Sequence, residues 1–386
     1  MDLDSIVENV SWATVRCDAM LDPSGRDVAV VVAKLAFRVS PEGRATIAFR
    51  PVRFGESADG HGAVKFPAEL VDQRPGTDVG LVGHAHPQRG KPVLQSMAWV
   101  QVGGSRKVIN VFGPRRFTAD FKGAVVPGPS QLIEEPVPLR FDHCFGGVDH
   151  SGDAHAHAGH HHHHGENGWA SEPFNPAGRG FLAHTDPKTL IGKPAWVLEP
   201  VNDNRAAPSK PGQLAPIAHR SHGCFAPIPE HFEPRRKLAG TYDAEWAKKR
   251  APVRPKDFDV AHNSWAQPEL RFASPLTTDA PIEVAGVIPE GVWRFKLPAY
   301  GMEFESTTFG ERVTHASHLD TFLIDADDRV VELVFRASIP LPRKWAMLER
   351  IVARGLGRLP DEILTSDASN ETDLHARRSA GTAAHG

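Results

Sequence analysis

Residues 319–336 read LDTFLIDADDRVVELVFR. Residues 319–325 and 330–336 are each rich in apolar, β-branched and aromatic side chains, and Asp327-Asp328 between them favours a tight turn. That spacing predicts a β-hairpin. The same rhythm recurs upstream. Residues 27–39, DVAVVVAKLAFRV, form a longer run in which Leu35, Phe37 and Val39 fall on one side of the pleat and Lys34 and Arg38 on the other. Pro41-Glu42-Gly43 turns the chain, and residues 45–49 return. Further along, Met97, Trp99 and Gln101 alternate with Ser96, Ala98, Val100 and Val102. Gly103-Gly104-Ser105 then supplies a turn, and residues 108–112 return as a second hairpin. Residues 77–84 and 292–297 are strand-like as well.

Thirty-four glycines and 33 prolines interrupt the chain often enough to favour short strands over long helices. Each sheet must cover an apolar face. The expected fold is therefore mainly β, with two β-rich, sandwich-like parts packed together and few short helices. Composition suggests the partition. Residues 1–149 form an N-terminal β-rich part. Residues 150–168, HSGDAHAHAGHHHHHGENG, have no apolar face to bury and read as a flexible His-rich loop. Residues 169–360 form a C-terminal β-rich part whose Pro-punctuated stretch, 187–234, must drape over other structure, and residues 361–386 read as a disordered tail. Two short helices are expected. One lies within 240–250, with Asp243 as N-cap and Trp246 facing inward. The other follows Pro342, where Trp345, Leu348 and Val352 sit at i, i+3 and i+7, and ends near Gly355-Leu356-Gly357.

Several function classes lose support at once. The net charge is -3, so no basic excess favours a nucleic-acid partner. No stretch reaches the roughly 18 apolar residues of a membrane helix. The start, MDLDSIVENV, lacks the features of a secretory signal, and Cys17, Cys144 and Cys224 are too few and too scattered for a disulfide framework. A cytoplasmic location with reduced thiols is expected.

Chemistry-bearing residues are weighed one group at a time. His155, His157, His160, His161, His162, His163 and His164 can bind zinc, nickel or copper weakly, but a Gly/Ala-rich loop fixes no coordination geometry. His84 with His86, and His219 with His222 near Cys224, lack CxxC or HExxH spacing and read as polar loop residues. No GxSxG elbow occurs, and His222 beside Cys224 is not how a Cys–His pair is usually built. Gly178-Arg179-Gly180 lacks the Lys-Ser/Thr of a phosphate loop. Asp325, Asp327 and Asp328 read as turn residues. No cofactor and no catalytic residue is expected. A metal-binding protein or metal-dependent hydrolase using the histidines stands as the alternative. Eight tryptophans in a Tyr-poor chain are compatible with a partner-binding surface.

Segments spread over residues 12–342 resemble the family catalogued as "domain of unknown function 2169". In order they are Ala33-Lys34-Leu35-Ala36-Phe37, Thr77-Asp78-Val79 leading to Gly83 and His86-Pro87, Val111-Phe112-Gly113-Pro114-Arg115 and Phe145-Gly146-Gly147. The most recognisable is Asn175-Pro176-Ala177-Gly178-Arg179-Gly180-Phe181. Pro234-Arg235, Ala239-Gly240-Thr241-Tyr242-Asp243 with Trp246, Pro255-Lys256-Asp257-Phe258-Asp259, Leu297-Pro298, Leu319-Asp320-Thr321 and Phe335-Arg336-Ala337-Ser338 follow. The run Asp142-His143-Cys144 and the His-rich insert depart from the family's pattern. The resemblance implies a non-enzymatic adaptor or chaperone of type VI secretion. Its partners would be a secreted toxin effector and the spike, a valine-glycine-repeat trimer or its tip protein. A structural component of the apparatus is a further alternative.

Overall fold

The 319–336 hairpin forms, from strands His318–Asp325 and Val330–Pro340 paired antiparallel. The computed structural model describes residues 2–42, 44–87, 90–150, 169–201, 222–276, 280–343 and 345–357, together with the backbone of 163–164. Among these the chain is mainly β, with two short α-helices. No helix among the described residues is long and apolar enough to cross a membrane.

Strand Asp27–Val39 is buried on both faces along most of its length, so it needs a neighbour on each edge and a cover on each side. One edge pairs with Thr14–Leu21 and, further along, Ala45–Ala48; the other pairs with Val330–Pro340, from Arg38 opposite Val330 to Val28 opposite Pro340. The seven-stranded sheet continues through His318–Asp325, then Thr77–Val82 in parallel, then Arg271–Phe272. The second expected hairpin, Gln95–Val102 with Ser105–Phe112, forms the middle of a five-stranded sheet flanked by Leu198–Pro200 on one side and Pro281–Ala285 and Val292–Lys296 on the other. A four-stranded sheet runs Val7–Val10, Leu348–Leu356, Gly301–Thr308, Glu311–His315.

Strands from both sides of residues 150–168 pair within the seven-stranded and five-stranded sheets. One expectation is corrected. The helix expected after Pro342 is a 3-10 turn, Trp345–Met347, followed by strand Leu348–Leu356, which pairs on both edges. A register shift leaves Glu349 outside the ladder, between the partners of Thr307 and Thr308. That bulge places Leu348 and Ile351 both inside, a spacing of three that imitates a helical face. Apart from the backbone of 163–164, the His-rich insert lies outside the described residues, as does the tail 361–386.

One core is lined by all three sheets. Ala29, Val31, Ala33, Leu35 and Phe37 meet Val100 and Ile109 of the five-stranded sheet and Phe304 and Ile351 of the four-stranded sheet. Full burial of each large apolar side chain contributes about 1.5–3 kcal/mol. The opposite face of the seven-stranded sheet is different. It carries Lys34, Asp78, Asp320, Glu332 and Arg336, all buried beneath irregular chain.

Those charges are matched by the segments that cover them. Lys34 Nζ lies 2.6 Å from Glu69 and 3.1 Å from Glu332, and it donates to the Pro51 carbonyl. Arg53 grips Glu332 with two parallel hydrogen bonds of 2.7 Å and reaches Glu69 at 2.6 Å. Two cations thus meet two carboxylates. Next to them, Arg336 donates to Asp320 at 2.6 Å and to the backbone oxygens of Glu69 and Val71. Arg74 donates to the carbonyls of Ala68 and Asn263 and lies 3.5 Å from Asp78. Arg254 and Asn263 both donate to Asp72. Over Gly80, the Trp265 ring sits where any Cβ would overlap it.

Burial alone would raise the pKa of Glu332, but hydrogen bonds from Arg53 and the charge of Lys34 pull it below its ordinary value; Asp320 is lowered likewise, against burial, by Arg336 and Arg74. A depressed folded-state pKa stabilises the fold above the unfolded value, and that stability is lost as pH falls through the folded value. Glu332→Gln leaves two buried cations facing one carboxylate and should lower unfolding stability by about 3–5 kcal/mol at pH 7 in urea titrations. The difference between wild type and variant should narrow as pH falls below 4.5, the ordinary value for the group. A pH-independent difference would contradict the assignment.

Candidate functional site

The segment 175–181 folds onto the turn at 145–147. Asn175 is buried, and its Nδ2 donates to the carbonyls of Phe141 and Phe145, both at 2.9 Å. Its own backbone oxygen accepts from Gly147 N and Gly178 N. Phe145-Gly146 pairs in parallel with Arg179-Gly180, and Phe181 N donates to the Gly146 carbonyl. The two turns come so close that only glycine fits. Gly146 has φ +149, and a Cβ there would overlap the Asn175 backbone; a Cβ on Gly178 would come within 2.7 Å of Gly146 Cα. Gly180, at φ +95, lies against Trp196 and Phe117. Pro176 is half-buried within this turn, and Phe181 is buried. Beside it, Asp149 accepts from Ala183 N, His184 N, Thr185 N and Thr185 Oγ1. Segment 175–181 therefore works as a strut.

Segment 240–259 forms a second strut, but one that presents a surface. Asp243 caps helix Ala244–Lys249 by accepting from Trp246 N at 2.7 Å, as the sequence predicts. Trp246 is half-buried and donates from its indole to the Val253 carbonyl; the Tyr242 ring packs edge-on against it at 4.6 Å and stays 55% exposed. Asp257 accepts from Thr241 N and Thr241 Oγ1, and these bonds hold its carboxyl below its ordinary pKa. Gly240, at φ +83, leaves no room for a Cβ against Pro255 and Asp257. Phe258 is half-buried with Arg254 over its ring at 4.3 Å, and Asp259 caps the 3-10 turn Val260–Asn263. Lys248, Lys256 and Tyr242 face solvent along this module.

The two struts are joined through residues 222–238. Glu233 N donates to the Pro173 carbonyl, and Asp259 N to the Leu238 carbonyl. Residues 222–229 are all buried, with Phe225 and Ile228 fully enclosed, and Arg235 donates to Ile228 and Glu56. The sequence analysis weighed His222 and Cys224 for chemistry and read 187–234 as draping chain, but did not foresee that all of 222–229 is buried. Pro227-Ile228-Pro229 has no period to read.

The remaining candidates are dispersed. His84 pairs with Asp327 at 2.9 Å at the surface, and burial lowers the pKa of His86. His222 is buried, bonded to the Phe174 carbonyl and packed edge-on against Phe141. Asp328 pairs with Arg50, and Asp325 caps its own turn through Asp328 N. Cys17, Cys144 and Cys224 are free and buried, and burial pushes Cys17 up to about 12. Of the His cluster, residues 155, 157 and 160–162 lie outside the described residues, and the backbone of His163-His164 pairs with Ala170-Ser171. His219 also lies outside them. Among the described residues, no group of three or more His, Cys, Asp or Glu is placed to hold a metal ion.

The sequence model of a family described as "Uncharacterized protein conserved in bacteria (DUF2169)" matches residues 24–336. No curated protein and no solved structure matches the chain.

If Asn175 Nδ2 holds the two turns together, Asn175→Ala should cost about 1–3 kcal/mol by stranding buried acceptors. Asn175→Asp should cost more at pH 7, because a carboxylate oxygen would then face the carbonyls of Phe141 and Phe145. Thermal melts of both variants decide this, and an Asp variant as stable as wild type would contradict it.

Proposed function

From the premise that the chain belongs to this DUF2169 family, we propose that it is a non-catalytic adaptor-chaperone of type VI secretion, working in the cytoplasm. It holds a toxin effector and helps it onto the spike, a valine-glycine-repeat trimer or its tip protein. The observation that carries the reading is what the resemblance-bearing residues do. Asn175, Gly178, Gly180, Gly240, Thr241 and Asp257 brace turns against one another. The bracing leaves an aromatic and charged module on a rigid support, with Tyr242, Lys248 and Lys256 outward beside Asp243, Glu245 and Asp257. Such a surface suits recognition by area and charge, with aromatic anchors.

Deleting the gene should abolish export of one toxin while export of the tube protein from the same cells continues. Restoring the chain with Tyr242→Ala should leave its melting temperature within about 2 °C, as for a surface change of up to ~0.5 kcal/mol, and should lower toxin export. Loss of tube export as well would assign the chain to the apparatus itself. Unchanged toxin export after deletion would overturn the proposal.

A further inference from the structure

Among the described residues, the four-stranded sheet ends in an open edge. Strand Glu311–His315 is terminal in its sheet and exposed from Glu311 to Thr314. It follows Gly301–Thr308 through a two-residue loop, Phe309-Gly310, with φ 52 and φ 77. Positive φ at both loop residues is the tight hairpin geometry that normally takes Asn-Gly. A phenylalanine in the left-handed region is unusual, and here its ring is 66% exposed at the tip. Gly310 N is tied to Glu349 at 3.1 Å, which holds the tip in place.

The ladder fixes which groups face outward. In a two-residue hairpin the closing pair, Thr308 and Glu311, is hydrogen-bonded, and bonded pairs then alternate. Ser306 with Val313 and Phe304 with His315 are bonded pairs as well. Arg312 and Thr314 therefore direct their N–H and C=O groups to the open side. On the core-facing side of the sheet, Phe304 and Ser306 are buried, but Val313, opposite Ser306, is 49% exposed. Val313 thus stands half-exposed at the edge, uncovered among the described residues.

We propose that this edge joins a second copy of the chain, strand Glu311–His315 pairing antiparallel with itself about a two-fold axis at Val313. The register follows from the alternation. Val313 meets Val313 as a non-bonded pair, and both exposed side chains are covered. Arg312 meets Thr314 twice, and these are the residues whose backbone groups point outward, giving four hydrogen bonds between copies. Glu311 meets His315, so no like charges stand opposite one another. Each Phe309 reaches Ser317 of the second copy, beside the exposed Ala316. The two four-stranded sheets become one of eight strands. A contact of one five-residue strand buries less than the roughly 1,200 Å² of a standard stable interface, so the dimer depends on concentration.

Sedimentation equilibrium of the full chain from about 1 to about 200 µM tests this, the upper end lying well above the micromolar range of small interfaces. The expected result is a weight-average mass that rises from one chain toward two. Thr314→Pro removes an outward N–H without touching the bonds to Gly301–Thr308, and Val313→Lys sets two like charges across the axis. Both should restore a single-chain mass at every concentration with an unchanged circular dichroism spectrum. Val313→Cys treated with glutathione disulfide should form a disulfide-linked dimer, releasing reduced glutathione, because a non-bonded antiparallel pair brings the two Cα atoms within disulfide range. Wild type, whose own cysteines are buried, should not. A single-chain mass throughout with no Val313→Cys dimer overturns the proposal. A dimer that persists in both Val313→Lys and Thr314→Pro places the interface elsewhere and overturns it equally. So does a single-chain protein whose edge amides gain exchange protection only when a toxin is added, which would assign the edge to the toxin.

Discussion

The buried charge network on the outer face of the seven-stranded sheet is the constraint from which the rest of the architecture follows. Lys34 and Glu332 stand on neighbouring strands, and no water reaches them. An isolated charge in such a place is too costly to keep, so every one must be met. The partners Arg53 and Glu69 come from an irregular segment, and Arg336 in turn holds the carbonyls of Glu69 and Val71. Sheet and cover are thereby tied together at the level of individual oxygens and nitrogens. A sheet covered by apolar loops could let them slide. One covered by paired charges fixes where each loop residue lies.

This gives physical meaning to the segments that carry the family resemblance. Lys34, Asp78, Asp320 and Arg336 come from four of them, two in one hairpin and two far upstream, and they lie on one face of one sheet. Asn175 and Gly178 lock two turns, and Thr241 and Asp257 lock two more. The recognisable residues are mostly those with no freedom to change without stranding a charge or overlapping backbone. Residues offered to solvent, such as Tyr242 and Phe309, rest on that frame. A rigid frame that presents outward residues is a sound basis for holding a partner protein, which is the role proposed for the chain.

Legibility in the sequence varied with the kind of interaction. The hairpins at 95–112 and 319–336 could be read because period-two alternation and turn residues are local. The cap at Asp243 was local too. Strand Leu348–Leu356 was misread because Leu348 and Val352, four apart, are both buried, and a bulge at Glu349 breaks the period-two rhythm that would have marked a strand. The pleat put Lys34 on the face away from Leu35 and Phe37, but its burial there shows only in the structure. Its partners could not be named, since Arg53 and Glu69 lie in chain without periodicity and are chosen by tertiary packing alone. The division of the chain at the His-rich insert followed composition, which says nothing about which strands pair across it.

The central claim is that the charge network makes cover and sheet a single cooperative unit. Native-state hydrogen exchange as a function of denaturant measures this most directly, since it gives an opening free energy for each amide. Backbone amides of residues 69–71, which donate to the carbonyls of Arg53 and Glu69 within the cover, and of Trp265, which donates to the Asp78 carboxylate, should open at the same free energy as amides in the middle of strands Asp27–Val39 and Val330–Pro340. Cover amides that exchange through a separate opening several kcal/mol below the global one, with the strands still protected, would contradict the account.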